Sequence, residues 1–193
     1  MVKVTSPSGS RVIFSSLSPT STTSLSDLLT KKGANSKDFK VDSRAVLELM
    51  KDEGVDIRRV CLLDPRAEKE IAPEDGEEFD WFLFGGILGD DPPRDRTGEL
   101  RRLGFPTRHL GPIQMTTDTA LNVTKICVQD KIRLSDIPFV DTPNIKFDEV
   151  ESVDMPFRYV TDSKGEPILP DGMRQLLQDD MNKSFDEVDD DEE

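Results

Sequence analysis

Val60-Cys61-Leu62-Leu63-Asp64-Pro65 is a short, uninterrupted apolar run closed by an Asp-Pro turn. Half-exposed strands alternate apolar and polar residues, so a run without alternation predicts a strand buried on both faces, as in a parallel sheet. A second run, Phe79-Asp-Trp-Phe-Leu-Phe84, leads into Gly85-Gly86-Ile87-Leu88-Gly89-Asp90-Asp91 and then Pro92-Pro93-Arg94-Asp95-Arg96-Thr97. A short helix is expected over about Thr97–Leu103, stopped by Gly104. A brief strand, Thr107–Leu110, is then broken by Gly111-Pro112. The spacing of Ala120, Leu121, Val123, Ile126 and Cys127 predicts a helix over Thr116–Val128. Strand, turn and helix alternate, so the expected fold class is α/β, a largely parallel sheet with helices on both faces.

Upstream, Arg11-Val-Ile-Phe14 reads as a strand, and the Ser/Thr/Pro-rich stretch Ser15–Ser26 as a loose connection. Asp42 and Ser43 are candidate N-caps for a helix carrying Ala45, Val46, Leu49 and Met50, ended by Gly54. Downstream, Pro138, Pro143 and Pro156 punctuate an extended segment that ends in Phe157-Arg-Tyr-Val160, and residues 172–181 look helical. There is no internal repeat. The expected organisation is one domain over residues 1–175 followed by an acidic, disordered tail over 179–193.

The chain has 193 residues, 39 Asp+Glu against 25 Lys+Arg, and a net charge of −14. From Asp179 to Glu193 nine acids face one base, Lys183, so the tail carries −8 and the rest −6. Nowhere does a Lys/Arg block offer the phosphate neutralisation that nucleic-acid binding demands; the field favours basic partners. The tail has no turn glycine between Asp186 and Glu193, which excludes an EF-hand loop there. Two cysteines make neither a disulfide framework nor a four-cysteine zinc site, and a single histidine, His109, excludes a His-rich one. No apolar run approaches the ~18 residues of a membrane span. With no leader-like stretch in Met1–Thr30, the expected compartment is reducing and cytoplasmic.

Cys61 lies in an apolar strand and Cys127 on an apolar helix face, so both read as core residues. His109, between Arg108 and Leu110 at a strand end, reads as a hydrogen-bonded structural histidine, which leaves no base for a Ser-His or Cys-His pair. Gly85-Gly86-Ile-Leu-Gly89 follows a strand but lacks the G-x-G-x-x-G order. Asp90 and Asp91 sit where a pyrophosphate would need free N–H groups, so this loop repels phosphate and suits a cationic group, a sulfonium or a guanidinium. Thr116, Thr117 and Asp118 are candidate caps for the helix that follows the third strand. If the strands are parallel neighbours, the three strand ends at Leu63–Pro65, Phe84–Asp90 and Leu110–Thr117 share one edge and form a site.

Four runs carry a resemblance: Cys-Leu-Leu-Asp-Pro-Arg (61–66), Phe-Gly-Gly-Ile-Leu-Gly-Asp (84–90) with Pro-Pro-Arg-Asp-Arg-Thr (92–97), Gln-Met-Thr-Thr-Asp-Thr-Ala (114–120), and Met-Pro-Phe-Arg-Tyr-Val (155–160). Their order and spacing, across Arg11–Met173, resemble a SPOUT-class methyltransferase family similar to the eukaryotic enzyme that methylates an arginine of a small-subunit ribosomal protein. The resemblance implies a trefoil knot in the C-terminal part of the sheet, with knot and cofactor loops at about 58–130. It implies S-adenosyl-L-methionine held by Leu63, Asp64 and Pro65, by Phe84, Gly85, Gly86, Ile87, Leu88 and Gly89, and by Leu110, Gly111, Gln114, Met115, Thr116 and Thr117. Leu88, Leu110 and Met115 would line an apolar slot for adenine. Family members begin with a strand and a helix ahead of the segment matching Arg11–Phe14, and the expectation is that this chain lacks both. Relatives suggest a monomer.

The implied reaction is methyl transfer to an arginine guanidinium of a basic protein, a ribosomal protein of the small subunit. Carboxylates pair with a planar guanidinium bidentately, so Asp90, then Asp118, are the candidates for orienting it. Arg94 and Arg96 are expected to brace the loops through ion pairs. Two alternatives stand beside this reading: an RNA methyltransferase of the same class, and a truncated, catalytically impaired interaction protein.

Overall fold

The computed structural model describes residues 1–85, 97–148 and 151–180. In chain order its elements are α1 (Val2–Thr5), β1 (Val12–Phe14), α2 (Pro19–Lys31), β2 (Phe39–Val41), α3 (Val46–Glu53), β3 (Val60–Leu63), α4 (Asp75–Glu78) and β4 (Trp81–Phe84). They continue with α5 (Gly98–Arg102), β5 (Thr107–Arg108), α6 (Thr117–Val128), β6 (Phe139–Asp141), β7 (Asn144–Lys146), β8 (Ser152–Asp154) and β9 (Arg158–Val160). Residues 173–180 are helical.

The apolar run at 60–63 is β3, the central strand of a parallel trio ordered β4-β3-β5. All four of its residues are buried. Successive side chains point to opposite faces. Val60 and Leu62 pack with Met50 of α3, Phe105 and Leu100 of α5, while Cys61 and Leu63 pack with Val123 and Cys127 of α6. Two-sided burial, at about 2 kcal/mol per large side chain, is why this strand shows no polar alternation. Helices therefore cover both faces, as an α/β fold requires.

The parallel character extends to β1 and β2, which pair with each other from Val12↔Phe39 to Phe14↔Val41. The expected single sheet is divided: beside these two parallel units stand two antiparallel pairs, β6 with β9 and β7 with β8. The segment read as extended after Pro138 thus folds back on itself, and the Arg158 side chain grips Asp141 on the facing strand, Nε to Oδ1 at 2.6 Å.

Two local readings change. Ser15–Ser26 is not a loose connection, since α2 starts at Pro19 with Ser18 as its N-cap accepting the Ser21 N–H at 3.1 Å. Its hydroxyls, Thr22 and Thr30 among them, bond back to carbonyls one turn earlier, so the polar composition is accommodated on an exposed helix. The cap of α3 is Ala45 rather than Asp42 or Ser43, because the Asp42 carboxylate turns to the backbone N–H and guanidinium of Arg44.

Gly76 sits where α4 crosses α6. A Cβ added there would lie 2.5 Å from the Val128 carbonyl oxygen. Gly76→Ala is expected to cost ~1–3 kcal/mol of stability by forcing the two helices apart. An unshifted urea midpoint for that variant would contradict the close crossing.

Candidate functional site

β3, β4 and β5 run in register to a common end, with Leu63 opposite both Phe84 and Arg108. The chain leaving these three strands emerges at one edge and, with the first turn of α6, encloses a cleft of about 380 Å³. Open α/β sheets bind ligands outside the carboxyl ends of their strands, which is this position.

Asp64 forms the floor. It is 2% exposed. Its Oδ1 accepts from the Arg66 N–H (3.0 Å), the Thr97 hydroxyl (3.2 Å) and Arg101 Nη2 (2.9 Å), and its Oδ2 accepts from Arg101 Nε. Burial opposes the charge on Asp64. The hydrogen bonds from Arg101, the Arg66 N–H and Thr97 outweigh it and hold the carboxyl below the ordinary aspartate range. This carboxylate ties the end of β3 to α5.

The third segment, His109–Met115, is held at both ends. His109 donates its N–H to the Lys69 carbonyl (2.9 Å), accepts from the Ile71 N–H (3.1 Å), and takes the Gly111 N–H on its ring Nδ1 (3.1 Å). It is the structural histidine that its surroundings in the sequence predict. Gly111 has φ +90°, a conformation that side chains with a Cβ resist. Downstream, the Gln114 carbonyl accepts the Arg158 N–H at 2.9 Å, so the Phe157–Val160 run tethers this loop from β9.

Leu63, Asp64 and Pro65 line the cleft from the first strand end, Phe84 and Gly85 from the second, and Leu110, Gly111, Gln114, Met115 and Thr117 from the third. Thr117 Oγ1 stands 3.5 Å from the Gly85 carbonyl, linking the second and third segments. Thr116 is the N-cap of α6, with its hydroxyl 2.8 Å from that of Thr119, and is not among the lining residues. Gly86, Ile87, Leu88, Gly89 and Asp90, with Arg94 and Arg96, lie outside the described residues. Asp118 borders a different, smaller pocket on the other flank of α6.

Arg101, Thr97 and Ala120 border the cleft without having been singled out by sequence reasoning. A signal existed: Thr97 and Arg101 are four residues apart, so one helical turn brings both to the same side. What they reach for, Asp64, is 37 residues from Arg101 and has no local signature. Cys61 and Cys127 are free and buried, and burial pushes each thiol up to about 12, so neither is a nucleophile. Among the described residues no group of three or more His, Cys, Asp or Glu could hold a metal ion, and no helix is long and apolar enough to cross a membrane.

The cleft therefore offers apolar walls, backbone, the Asp64–Arg101 ion pair and a second arginine, Arg66. The chain as a whole is similar to known proteins. The yeast (Saccharomyces cerevisiae) protein arginine N-methyltransferase SFM1 is 50% identical over 161 residues, which span 81% of this chain and 70% of that protein. The crystal structure of yeast SFM1 complexed with SAM superposes with a TM-score of 0.80 at 40% identity, covering 93% of this chain and 82% of that one. A structure described as a novel protein arginine methyltransferase matches with a TM-score of 0.76 at 42% identity, covering 93% and 90%. The sequence pattern of the family described as protein arginine N-methyltransferase SFM1-like matches residues 1–184, and the chain belongs to that family.

Proposed function

We propose that the protein transfers a methyl group from S-adenosyl-L-methionine to an arginine guanidinium of a basic protein, with a small-subunit ribosomal protein as the substrate. The observation that carries this reading is the cleft at the common end of β3, β4 and β5 in a chain of this family. About 380 Å³ falls in the range of small-molecule sites. Leu63, Phe84, Leu110 and Met115 offer apolar surface to an adenine, and the backbone at Gly85 and Gly111 permits close approach. Arg101 is engaged by Asp64, so that its charge is compensated within the cleft wall.

The bound cofactor supplies an activated methyl group, so no general base strong enough to ionise an arginine is required. The protein's own residues have three tasks. Leu63, Leu110 and Met115 exclude water around the apolar part of the cofactor. The Asp64–Arg101 pair and the His109–Gly111 bond keep the first and third segments at fixed distances, so that reacting atoms can be aligned. A carboxylate would hold the guanidinium plane and, with solvent, would take the proton that the acceptor nitrogen gives up. Asp90, which follows the second strand-end segment in the sequence, is the proposed carboxylate; Asp118 borders the pocket on the other flank of α6 and not the cleft. The charge outside the tail, −6, supports a basic protein over RNA as substrate. Two buried free thiols suit a reducing compartment, for which we propose the cytoplasm.

Calorimetry with S-adenosyl-L-methionine, followed by radiolabelled methyl transfer to isolated small-subunit ribosomal proteins and to ribosomal RNA, tests the reading. Label in protein is the expected result. Label in RNA alone, or no cofactor binding by folded protein, would refute it. Gly111→Ala is expected to weaken cofactor binding about tenfold, since forcing a Cβ into left-handed backbone costs ~1–2 kcal/mol and moves the third segment.

A further inference from the structure

The lining of the cleft changes character from floor to mouth. Leu63 and Asp64 are buried, Leu110 and Met115 are half-buried, and Arg66 and Ile113 are exposed. Among the described residues that line it, three carry charge: Asp64, Arg66 and Arg101. Two of these satisfy each other, since the Asp64 carboxylate takes Nε of Arg101 on one oxygen and Nη2 on the other. The planar fork of Arg101 is thus occupied inside the wall. Arg66 is the cation at the mouth.

The backbone that carries Arg66 is fixed. Its N–H donates to Asp64 Oδ1 at 3.0 Å, and the next N–H, of Ala67, donates to the Asp64 carbonyl at 3.0 Å. The side chain therefore starts from a defined point three residues past the end of β3. S-adenosyl-L-methionine has a flat, largely apolar base at one end and an α-amino acid at the other, whose carboxylate is its one anionic group. In a chain of net charge −14 that carboxylate meets an unfavourable field unless a cation stands beside it. A guanidinium meets a carboxylate in two parallel hydrogen bonds, and its five donors let it do so while serving a protein acceptor as well.

We propose that Arg66 binds the α-carboxylate of the cofactor and makes the cleft selective for the intact amino-acid tail. The inference rests on the methyltransferase reading for the identity of the ligand, and it deepens that reading. Apolar walls take the adenine end and Arg66 takes the other, so the sulfonium between them is held at a set place along the cleft. Arg66 touches the tail and not the transferred methyl group, so its loss should raise KM for the cofactor and leave kcat unchanged.

Calorimetry on the full-length chain with S-adenosyl-L-methionine and with its decarboxylated analogue isolates the carboxylate, because the two ligands share adenosine, sulfonium and ammonium. The wild type is expected to bind the first about tenfold more tightly. Arg66→Ala should lose that preference by weakening the first ligand alone. Arg66→Lys should keep part of it, through charge without the planar fork. The proposal is overturned by a wild type without preference, by an unchanged affinity for S-adenosyl-L-methionine in Arg66→Ala, or by an equal weakening of both ligands, which marks a merely structural role. The wild-type comparison stands even if a variant does not fold. Absence of binding of either ligand by folded wild-type protein overturns the methyltransferase reading and the proposal with it, whereas binding of both without preference overturns the proposal alone.

Discussion

Asp64→Ala is expected to lower the unfolding free energy by ~3 kcal/mol and to abolish measurable cofactor binding. The carboxylate is almost fully buried and serves three donors: the Arg66 N–H, the Thr97 hydroxyl and the Arg101 guanidinium. Its removal leaves a cation at the floor of an apolar cleft, partly relieved because the Arg101 side chain is 31% exposed. Urea denaturation and calorimetry measure the two effects, and wild-type cofactor affinity in this variant would remove the pair from the site. Asp64 also gives a pH signature. Its folded pKa lies below its unfolded one, so its stabilisation is complete above the unfolded value, about 3.9, and is lost as pH falls through the folded value. Asp64→Asn should therefore show a flatter loss of stability below about pH 4 than the wild type; parallel curves would contradict the assignment.

Asp75→Ala is expected to cost ~4 kcal/mol, a large share of the 5–15 kcal/mol typical of a domain. Asp75 and Arg108 are 5% and 11% exposed at their side chains, so little water is available to replace Asp75, and the remaining carboxylate on Arg108, Glu78 at 3.1 Å, is exposed and compensates only in part. Arg108 Nε donates to Asp75 Oδ1 at 2.9 Å, and the guanidinium lies over the Phe79 ring, 5.0 Å from its centroid. The other oxygen, Oδ2, accepts the Ala72 N–H at 2.7 Å. Replacing both partners, as Asp75→Leu with Arg108→Met, should recover most of the loss, because no buried charge is then left unpaired. A double-mutant cycle in urea measures the coupling; additive single losses would mean that the pair is not coupled. The consequence reaches the site, since Arg108 precedes His109 and the cleft segment that it supports.

How much of this was legible in the amino-acid sequence varies by element. β3 was legible because two-sided burial leaves an unbroken apolar run before Asp64-Pro65. Helices α3, α5 and α6 were legible because apolar residues at helical spacing coincide with stop signals at Gly54 and Gly104 and with a start signal at Thr116. The helix α2 was hidden by its Ser/Thr content, although Ser18-Pro19 is a cap followed by a first-turn proline. Strand β2, Phe39-Lys-Val41, is too short and too polar to declare itself, and is a strand because β1 offers it a parallel partner.

The candidate site divides along the same line. Three strand ends with turn residues, and the family motifs at 61–66, 84–90 and 114–120, are local patterns, so the fold class, the family and the strand-end residues bordering the cleft could be read from residue order. The Asp64–Arg101 pair could not, because partners 37 residues apart meet only once β3 and α5 pack. Nor could the facing of Asp118. Its carboxylate and its place at the head of a helix are written in the chain, but the 100° step between Thr117 and Asp118 acquires a meaning only when β9 and the segment at 168–170 wall off a second pocket. Local order sets which groups are present and how they repeat, and long-range packing sets which of them share a cavity.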